Sequence, residues 1–440
     1  MAGLLFGLNQ IAASAQTPPL IASPVPADEK ARQVRREAFD QVWQTVKEKH
    51  FDPNFGGVDW DRVGEKYRVR LGEVTRDEEL YSLLQGMLGE LRQSHFQILP
   101  PGAGDSGSDD RGQGGGVGME VRLLDDDAVV TTVDPSSPAA RAGIQPGFIL
   151  QQIDRRPVGE ILASVNASRS GLTRRFRQTR LLQSLLDGAA GTVLQVVCLD
   201  RRDQPREMTL RREPPNGTVA PGFGNFPATL TVFETRQLRG NIGYLRFNIF
   251  TPAMMEKIRT AIRDFNDPAH RADGLIFDLR GNPGGLGAMA TGIAGLLAVE
   301  QGSLGTMKMR ANQLNFAYFP QPQAYRGPVV ILIDGLSAST SEILAAGLRE
   351  NGRAAVIGQR SAGAALPSYL VKLSTGAIFQ YAIADYKTPK GVMVEGRGVA
   401  PDLEVKLDRR SLIEGKDSQL EAALDWLISK KTSTNSELKR

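Results

Sequence analysis

Two stretches decide the fold: Asp278-Leu279-Arg280-Gly281-Asn282-Pro283-Gly284-Gly285-Leu286-Gly287 and Asp334-Gly335-Leu336-Ser337-Ala338-Ser339-Thr340-Ser341-Glu342. Each follows a short apolar run, at 275–279 and 329–333, that reads as a buried strand. Each precedes a helical pattern, at 288–299 and 341–350. A strand that breaks into small residues and enters a helix leaves backbone N–H groups unpaired at the helix N-terminus. Such groups suit a developing oxyanion. A serine in such a turn presents its hydroxyl to a cleft, as in a nucleophile elbow. The first turn lacks the Gly-Lys-Ser/Thr ending of a phosphate loop and the G-x-G-x-x-G spacing, which argues against nucleotide binding.

Further strand patterns at 242–247, 355–357, 369–373 and 378–382 surround these turns. A helix is expected from Pro252 to Phe265, with Thr251 as N-cap and Met255, Ile258, Ile262 and Phe265 buried. Alternating strands and helices imply crossover units and an α/β core over 227–405. A C-terminal helix and tail follow at 406–440. Upstream, 29–101 reads as helical. Val34, Phe39, Val42, Trp43 and Val46 share one face, as do Leu80, Leu83, Leu84, Met87, Leu88 and Leu91 over 77–92. That unit ends in Ser94-His95-Phe96 and Pro100-Pro101. Residues 102–116 and 213–226 have linker composition. Between them, 117–212 is β-rich, with strands at 128–133, 148–153, 192–199 and 207–210 and a helix at 172–186. The fold class is thus α/β, in an α+β multidomain arrangement.

Composition narrows the function. Of 440 residues, 53 are Lys or Arg and 49 are Asp or Glu, a net charge of +4 too diluted to imply nucleic-acid binding. Hydrophobic residues at 41% and charged residues at 23% exclude wholesale disorder. The single cysteine, Cys198, excludes an intrachain disulfide and a thiolate metal cluster, and its apolar neighbours mark it as an inert core thiol. The three histidines, His50, His95 and His270, form no HExxH zinc motif. No apolar run approaches the ~18 residues of a membrane span. Leu4 to Leu8 and Ala13-Ser14-Ala15 read as the end of a secretory signal within a tail at 1–28. Export to a periplasmic or extracellular space is expected, with the cytoplasm as the alternative.

The combination D-L-R-G-N-P-G-G at 278–285, D-G-L-S-A-S-T-S-E-I at 334–343 and G-V-A-P-D at 398–402 resembles the C-terminal processing, or tail-specific, serine peptidases. The stretch Asp134 to Gly147, containing S-P-A-A-R-A-G-I, resembles the recognisable part of a PDZ domain. Together the resemblances cover about residues 30–405. They imply a crotonase-like ββα peptidase core, with Ser339 as nucleophile. One departure matters. The Ser–Lys branch carries a lysine where this chain has Ala364, and its G-K-G-x-x-Q context has Ser368 in place of the glutamine. A methyl group accepts no proton, so that dyad is closed. The chain is closer to the tricorn-core-like branch, which draws on a Ser-His pair and a glutamate. Ser94-His95 and Glu395 match.

The resemblance therefore implies a Ser-His-Ser-Glu tetrad. Ser339 attacks, His95 is the base, and Glu395 acts through Ser94. Backbone N–H groups of Gly284 or Gly285 and of Thr340 form the oxyanion hole, and no metal or cofactor is needed. Val117, Gly118 and Met119 fall where PDZ domains bind a peptide carboxylate, which implies protein or peptide substrates with free C-termini. Arg174, Arg175, Arg177 and Arg180 on the 172–186 helix either attract an acidic peptide end or form a solvated face. Taken alone, Glu395 reads as a solvated loop residue, Ser337 and Ser341 as helix caps, and His50 and His270 as surface residues. Lys372 or Lys387 is an alternative base, and a catalytically inactive PDZ-containing peptide-binding scaffold is the alternative function. Homo-oligomerisation is left open.

Overall fold

The computed structural model describes residues 27–101, 114–165, 171–269 and 271–437. The signal-like residues 1–26, most of the 102–116 linker and His270 lie outside the described residues. Three helices at the front of the chain, α1 (Ala27–Lys49), α2 (Trp60–Leu71) and α3 (Asp77–Gly89), each bury one apolar face. Phe39, Val42 and Val46 meet Trp60, Tyr67, Leu80 and Leu84 in one core. The chain then passes through Ser94 and His95 into β1 (Gln97–Leu99), which pairs antiparallel with the C-terminal half, Ile98 opposite Phe379. Phe379 and Tyr381 join the same apolar cluster, so strand pairing and burial both fix the histidine segment to the distant half of the chain.

His50 is buried, contrary to expectation. Its ring stacks on Phe51 and Phe96, with centroids 4.7 and 5.4 Å apart, and its Nε2 pairs with Gln93 Oε1 at 2.9 Å. Aromatic stacking and satisfied ring nitrogens make an imidazole compatible with a core.

The second unit contains β2 (Met119–Leu124), β3 (Asp127–Val133), α4 (Pro138–Arg141), β4 (Ile149–Ile153), α5 (Val158–Ala163), α6 (Gly171–Leu186), β5 (Val193–Leu199) and β6 (Pro205–Arg211). Its strands form an antiparallel sheet in the order β2-β3-β4-β5-β6. Ser137 caps α4, its Oγ accepting from Ala140 N at 3.2 Å, with Pro138 in the first turn. Cys198 is fully buried in this unit's core, and burial pushes its thiol up to about 12.

The third unit is built on a sheet of β7 (Phe233–Leu238), β8 (Ile242–Phe247), β9 (Gly274–Asp278), β12 (Val329–Ile333), β13 (Ala355–Gly358) and β17 (Leu403–Glu404), in that spatial order. All its pairings are parallel except β7 with β8. Helices α7 (Pro252–Phe265), α8 (Ala288–Leu297) and α9 (Thr340–Glu350) cover one face. After the short α10 (Arg409–Ile413), α11 (Ser418–Glu437) covers the other through Ala423, Leu424 and Leu427. Burial on both faces explains why β9 and β12 are apolar throughout apart from Gly274 and Asp278. A small sheet of β10 (Gly302–Met309), β11 (Gln313–Tyr318) and β16 (Ala384–Lys387) flanks this layer. Another joins β14 (Ser368–Lys372) and β15 (Ile378–Ala382) to β1. Two details of α7 differ from the sequence reading. Thr251 is the N-cap residue as expected, but among the described residues its buried Oγ1 has no hydrogen-bond partner. Met254 is buried, whereas Met255 and Phe265 are only partly so.

The end of β9 is pinned to α11 by charge. Arg280 Nη2 lies 2.6 Å from Asp278 Oδ2 and 2.8 Å from Asp417 Oδ2. Burial alone would raise the Asp278 carboxyl, but the Arg280 guanidinium outweighs it and holds the group at about 2. Arg280→Ala would leave Asp278 buried and unpaired. It is expected to lower the unfolding free energy in urea by about 3–5 kcal/mol. Arg239→Ala, whose partners Glu421 and Asp425 are exposed, should cost less than about 1 kcal/mol. Equal, small losses would contradict this assignment.

Candidate active site

The two glycine-rich turns are stitched together beyond the ends of β9 and β12. Asp334 Oδ1 accepts from Gly281 N and Leu336 N, both at 2.9 Å, and from Ser337 N at 3.1 Å. Ser337 Oγ donates to Leu279 O at 2.8 Å, and Ser341 Oγ to Asn282 O at 3.0 Å. These serines therefore join one turn to the other rather than cap α9. Gly284 must be glycine, because a Cβ there would lie 2.7 Å from Ser339 Cβ and 2.9 Å from Thr340 N. Ser339 itself has φ 55° and ψ −118°, a conformation that costs a non-glycine residue of order 1–3 kcal/mol. Strain of that kind persists where surrounding bonds over-determine it. Here Ser339 N donates to Ala364 O at 2.8 Å and to Glu342 Oε2 at 3.0 Å.

The structure brings Ser94, His95 and Glu395 together. Ser94 Oγ lies 2.7 Å from His95 Nδ1 and donates to Glu395 Oε2 at 2.8 Å. Ser94 N donates to Glu395 Oε1 at 2.8 Å. With its proton committed to the carboxylate, Ser94 Oγ accepts from Nδ1–H, which leaves Nε2 as the unprotonated nitrogen. Burial pushes the His95 imidazole down to about 4, so the ring is neutral at pH 7. Ala365 N donates to Glu395 Oε2 at 3.1 Å. One peptide group, Ala364–Ala365, thus touches the Ser339 backbone through its oxygen and the Glu395 carboxylate through its nitrogen. Among the described residues, no hydrogen bond joins Ser339 Oγ to His95.

Ala364 packs with Ala338 and Ala362, and the Phe176 ring of α6 rests on this apolar patch. Lys372 is exposed at the end of β14, and Lys387 pairs through β16 with Thr306. Among the described residues, neither is hydrogen-bonded to Ser339, His95 or Glu395. Around the first turn, Gly284 N donates to Asn282 Oδ1 at 2.9 Å. Among the described residues, the N–H groups of Gly285 and Thr340 have no acceptor. Glu342, which sequence reasoning missed, is fully buried beside Ser339.

On the second unit, Val117 and Met119 are buried, and Gly118 takes φ 70° where a Cβ would strike Ser137. A cavity of about 540 Å³ connects this loop to the core, lined by Gly118, Met119, Arg180, Gln183, Gly281 and Leu336 among others. Side chains of α6 cover the outer edge of β2. Gln183 Nε2 donates to Met119 O at 3.2 Å and Arg175 Nη2 to Leu123 O at 3.3 Å. The four arginines of α6 therefore do not form one solvated face. Arg175 and Arg180 are exposed, whereas Arg177 is half-buried and desolvation lowers its guanidinium; among the described residues, Arg174 Nε is buried without a partner.

Comparisons with known proteins agree with this architecture. Residues 241–405 match the model of peptidase family S41, and residues 31–89 match the tricorn protease C1 domain. The carboxyl-terminal-processing protease of Synechocystis sp. is 28% identical over 393 residues, covering 88% of this chain and 85% of the relative. The chloroplastic C-terminal processing peptidase of Tetradesmus obliquus is 25% identical, covering 83% and 76%. Among solved structures, a photosystem II D1 C-terminal processing protease matches with a TM-score of 0.57 at 23% identity, covering 88% of this chain and 98% of the other. Mature CPAF matches with a TM-score of 0.60 at 14% identity, covering 90% and 98%. At these identities the structural matches speak for the fold alone. Among the described residues, no helix is long and apolar enough to cross a membrane. Residues 241–405 thus carry the peptidase family S41 region, and the chain is a serine-type peptidase.

Proposed function

We propose that this peptidase cleaves polypeptides by acyl-enzyme chemistry, with Ser339 as nucleophile and His95 as base, and that it acts near the C-termini of its substrates. The observation that carries the reading is the chain of contacts from Glu395 through Ser94 to His95, which leaves Nε2 free and neutral. Ser339 Oγ attacks the scissile carbonyl while Nε2 takes its proton. The oxyanion is met by the N–H groups of Gly285 and Thr340, each worth about 3 kcal/mol. Gly284 shapes the hole by its close approach, since its own N–H is engaged by Asn282. The C–N bond breaks as Nε2–H protonates the leaving amine. Water then gives a proton to His95 and attacks the ester, releasing the acyl product and restoring Ser339. The missing Ser339–His95 hydrogen bond is a contact that commonly tightens only when substrate is bound.

The second unit is read as a PDZ-like substrate-binding domain. A peptide strand pairing with β2 would place its carboxylate at Val117, Gly118 and Met119, after displacing Gln183 and Arg175 from the strand carbonyls. The curated relatives bear names that describe carboxyl-terminal processing, which supports the same choice of substrate end. The signal-like N-terminal residues support export.

A fluorophosphonate should label Ser339 in the wild type and nothing in Ser339→Ala. His95→Ala should slow labelling on the order of 10⁴-fold. Undiminished cleavage of casein by Ser339→Ala would overturn the assignment. Histidine NMR, with His95→Ala for assignment, should show the His95 ring titrating near pH 4. A value at or above the ordinary 6.5 would contradict the buried neutral base. Because the unfolded chain takes up that proton first, the same shift should withdraw folding stability as pH falls from about 6.5 towards 4. Finally, a substrate peptide with a free C-terminus should be cut faster than its amidated twin. Equal rates would remove the carboxylate-binding role of the PDZ-like loop.

A further inference from the structure

We propose that Glu342 is a positioning residue for Ser339: its carboxylate sets the spacing between the nucleophile turn and the 361–365 loop that holds Glu395 of the Ser94–His95–Glu395 chain. Glu342 stands in the first turn of α9 and is fully buried. Its Oε2 accepts from Ser339 N at 3.0 Å and Ala364 N at 2.9 Å. Its Oε1 accepts from Ser361 Oγ at 2.5 Å and Gly363 N at 2.8 Å. Four donors from two separate stretches thus occupy both oxygens. Among the described residues, no Lys, Arg or His forms an ion pair with it. Burial pushes its carboxyl up to about 7 against the pull of those donors. A buried carboxylate without a counter-ion is a costly way to fill space, so packing alone does not account for it.

What the group does is visible in where its partners lead. Ser339 holds a strained backbone whose N–H is shared between Ala364 O and Glu342. The 361–364 segment is tied in turn to the Glu395 loop. Gly396 N donates to Gly363 O at 2.8 Å, Val399 N to Ser361 Oγ at 2.6 Å and Ser361 N to Val399 O at 3.2 Å. Glu342 therefore clamps a loop that contacts both the nucleophile backbone and Glu395. Releasing it frees the strained turn and the loop that holds Glu395 to move independently.

This inference rests on Ser339 being the nucleophile, and the test separates the two claims. Fluorophosphonate labelling of the full chain gives kinact, which reports chemistry, and KI, which reports binding. Glu342→Gln keeps the volume but turns an NH₂ toward backbone donors. It is expected to lower kinact about 100-fold with KI within about threefold of wild type. Ser361→Ala, a milder change should the first variant fold poorly, removes one donor and is expected to lower kinact about tenfold, again with KI unchanged. A merely structural residue would lower the melting temperature and leave kinact per folded molecule intact. A kinact within twofold of wild type in the folded variants would overturn the proposal while leaving Ser339 as nucleophile. Failure of the wild type to label at Ser339 would overturn both.

Discussion

The peptide group between Ala364 and Ala365 is the constraint on which the site depends. Its oxygen accepts from Ser339 N, and its N–H donates to the Glu395 carboxylate that holds Ser94. A peptide unit is planar and stiff, so these two attachments stand at a set distance and angle. Ser339, the proposed nucleophile, comes from the third unit and His95 from the first, more than half the chain away. No local segment can hold such a pair in register. The loop at 361–365 does so, and the small side chain of Ala364 fits it there. The small methyl packs against Ala338 and Ala362 beneath the Phe176 ring.

The three units are held against one another by buried charge as well as by apolar contact. Arg122, on the second unit, donates to Asp334 Oδ2 at 2.8 Å, while the other oxygen of Asp334 organises the nucleophile turn. Arg246 reaches from the core to Glu120 at 2.8 Å. Such pairs add little net stability once desolvation is counted, but each permits few alternative partners. They give the second unit a defined seat beside the catalytic crevice. The same unit covers the outer edge of its sheet, since Gln183 and Arg175 occupy carbonyls on β2.

Much of the third unit was legible in the sequence because strands buried on both faces are written as unbroken apolar runs. The run at 329–333 coincides with β12 residue for residue, and 242–247, interrupted by Gly243 and Arg246, with β8. Elements with mixed surfaces were not legible. Helix α2 is half charged and carries Gly64 against the Trp43 ring, which blurs its period. The β10–β11 hairpin alternates polar residues without a strong turn signal. In the site, Ser339, Ser94, His95 and Glu395 stood out only through the order of family motifs. Glu342 did not stand out, because three of its four partners are backbone N–H groups, which leave no mark in a sequence. His50 was misjudged for a related reason: its aromatic neighbours Phe51, Phe55 and Phe96 converge only on folding.

The central claim is that an imidazole from the helical front unit serves the serine of the rear unit. The most direct measurement is a crystal structure of the phosphonate adduct of the full chain. The account predicts His95 Nε2 within about 3.2 Å of the Ser339 oxygen or the phosphonyl group. It also predicts Ser94 bridging to Glu395 and the phosphonyl oxygen facing the N–H groups of Gly285 and Thr340. An imidazole turned away from the adduct, with a lysine ammonium in its place, would contradict it.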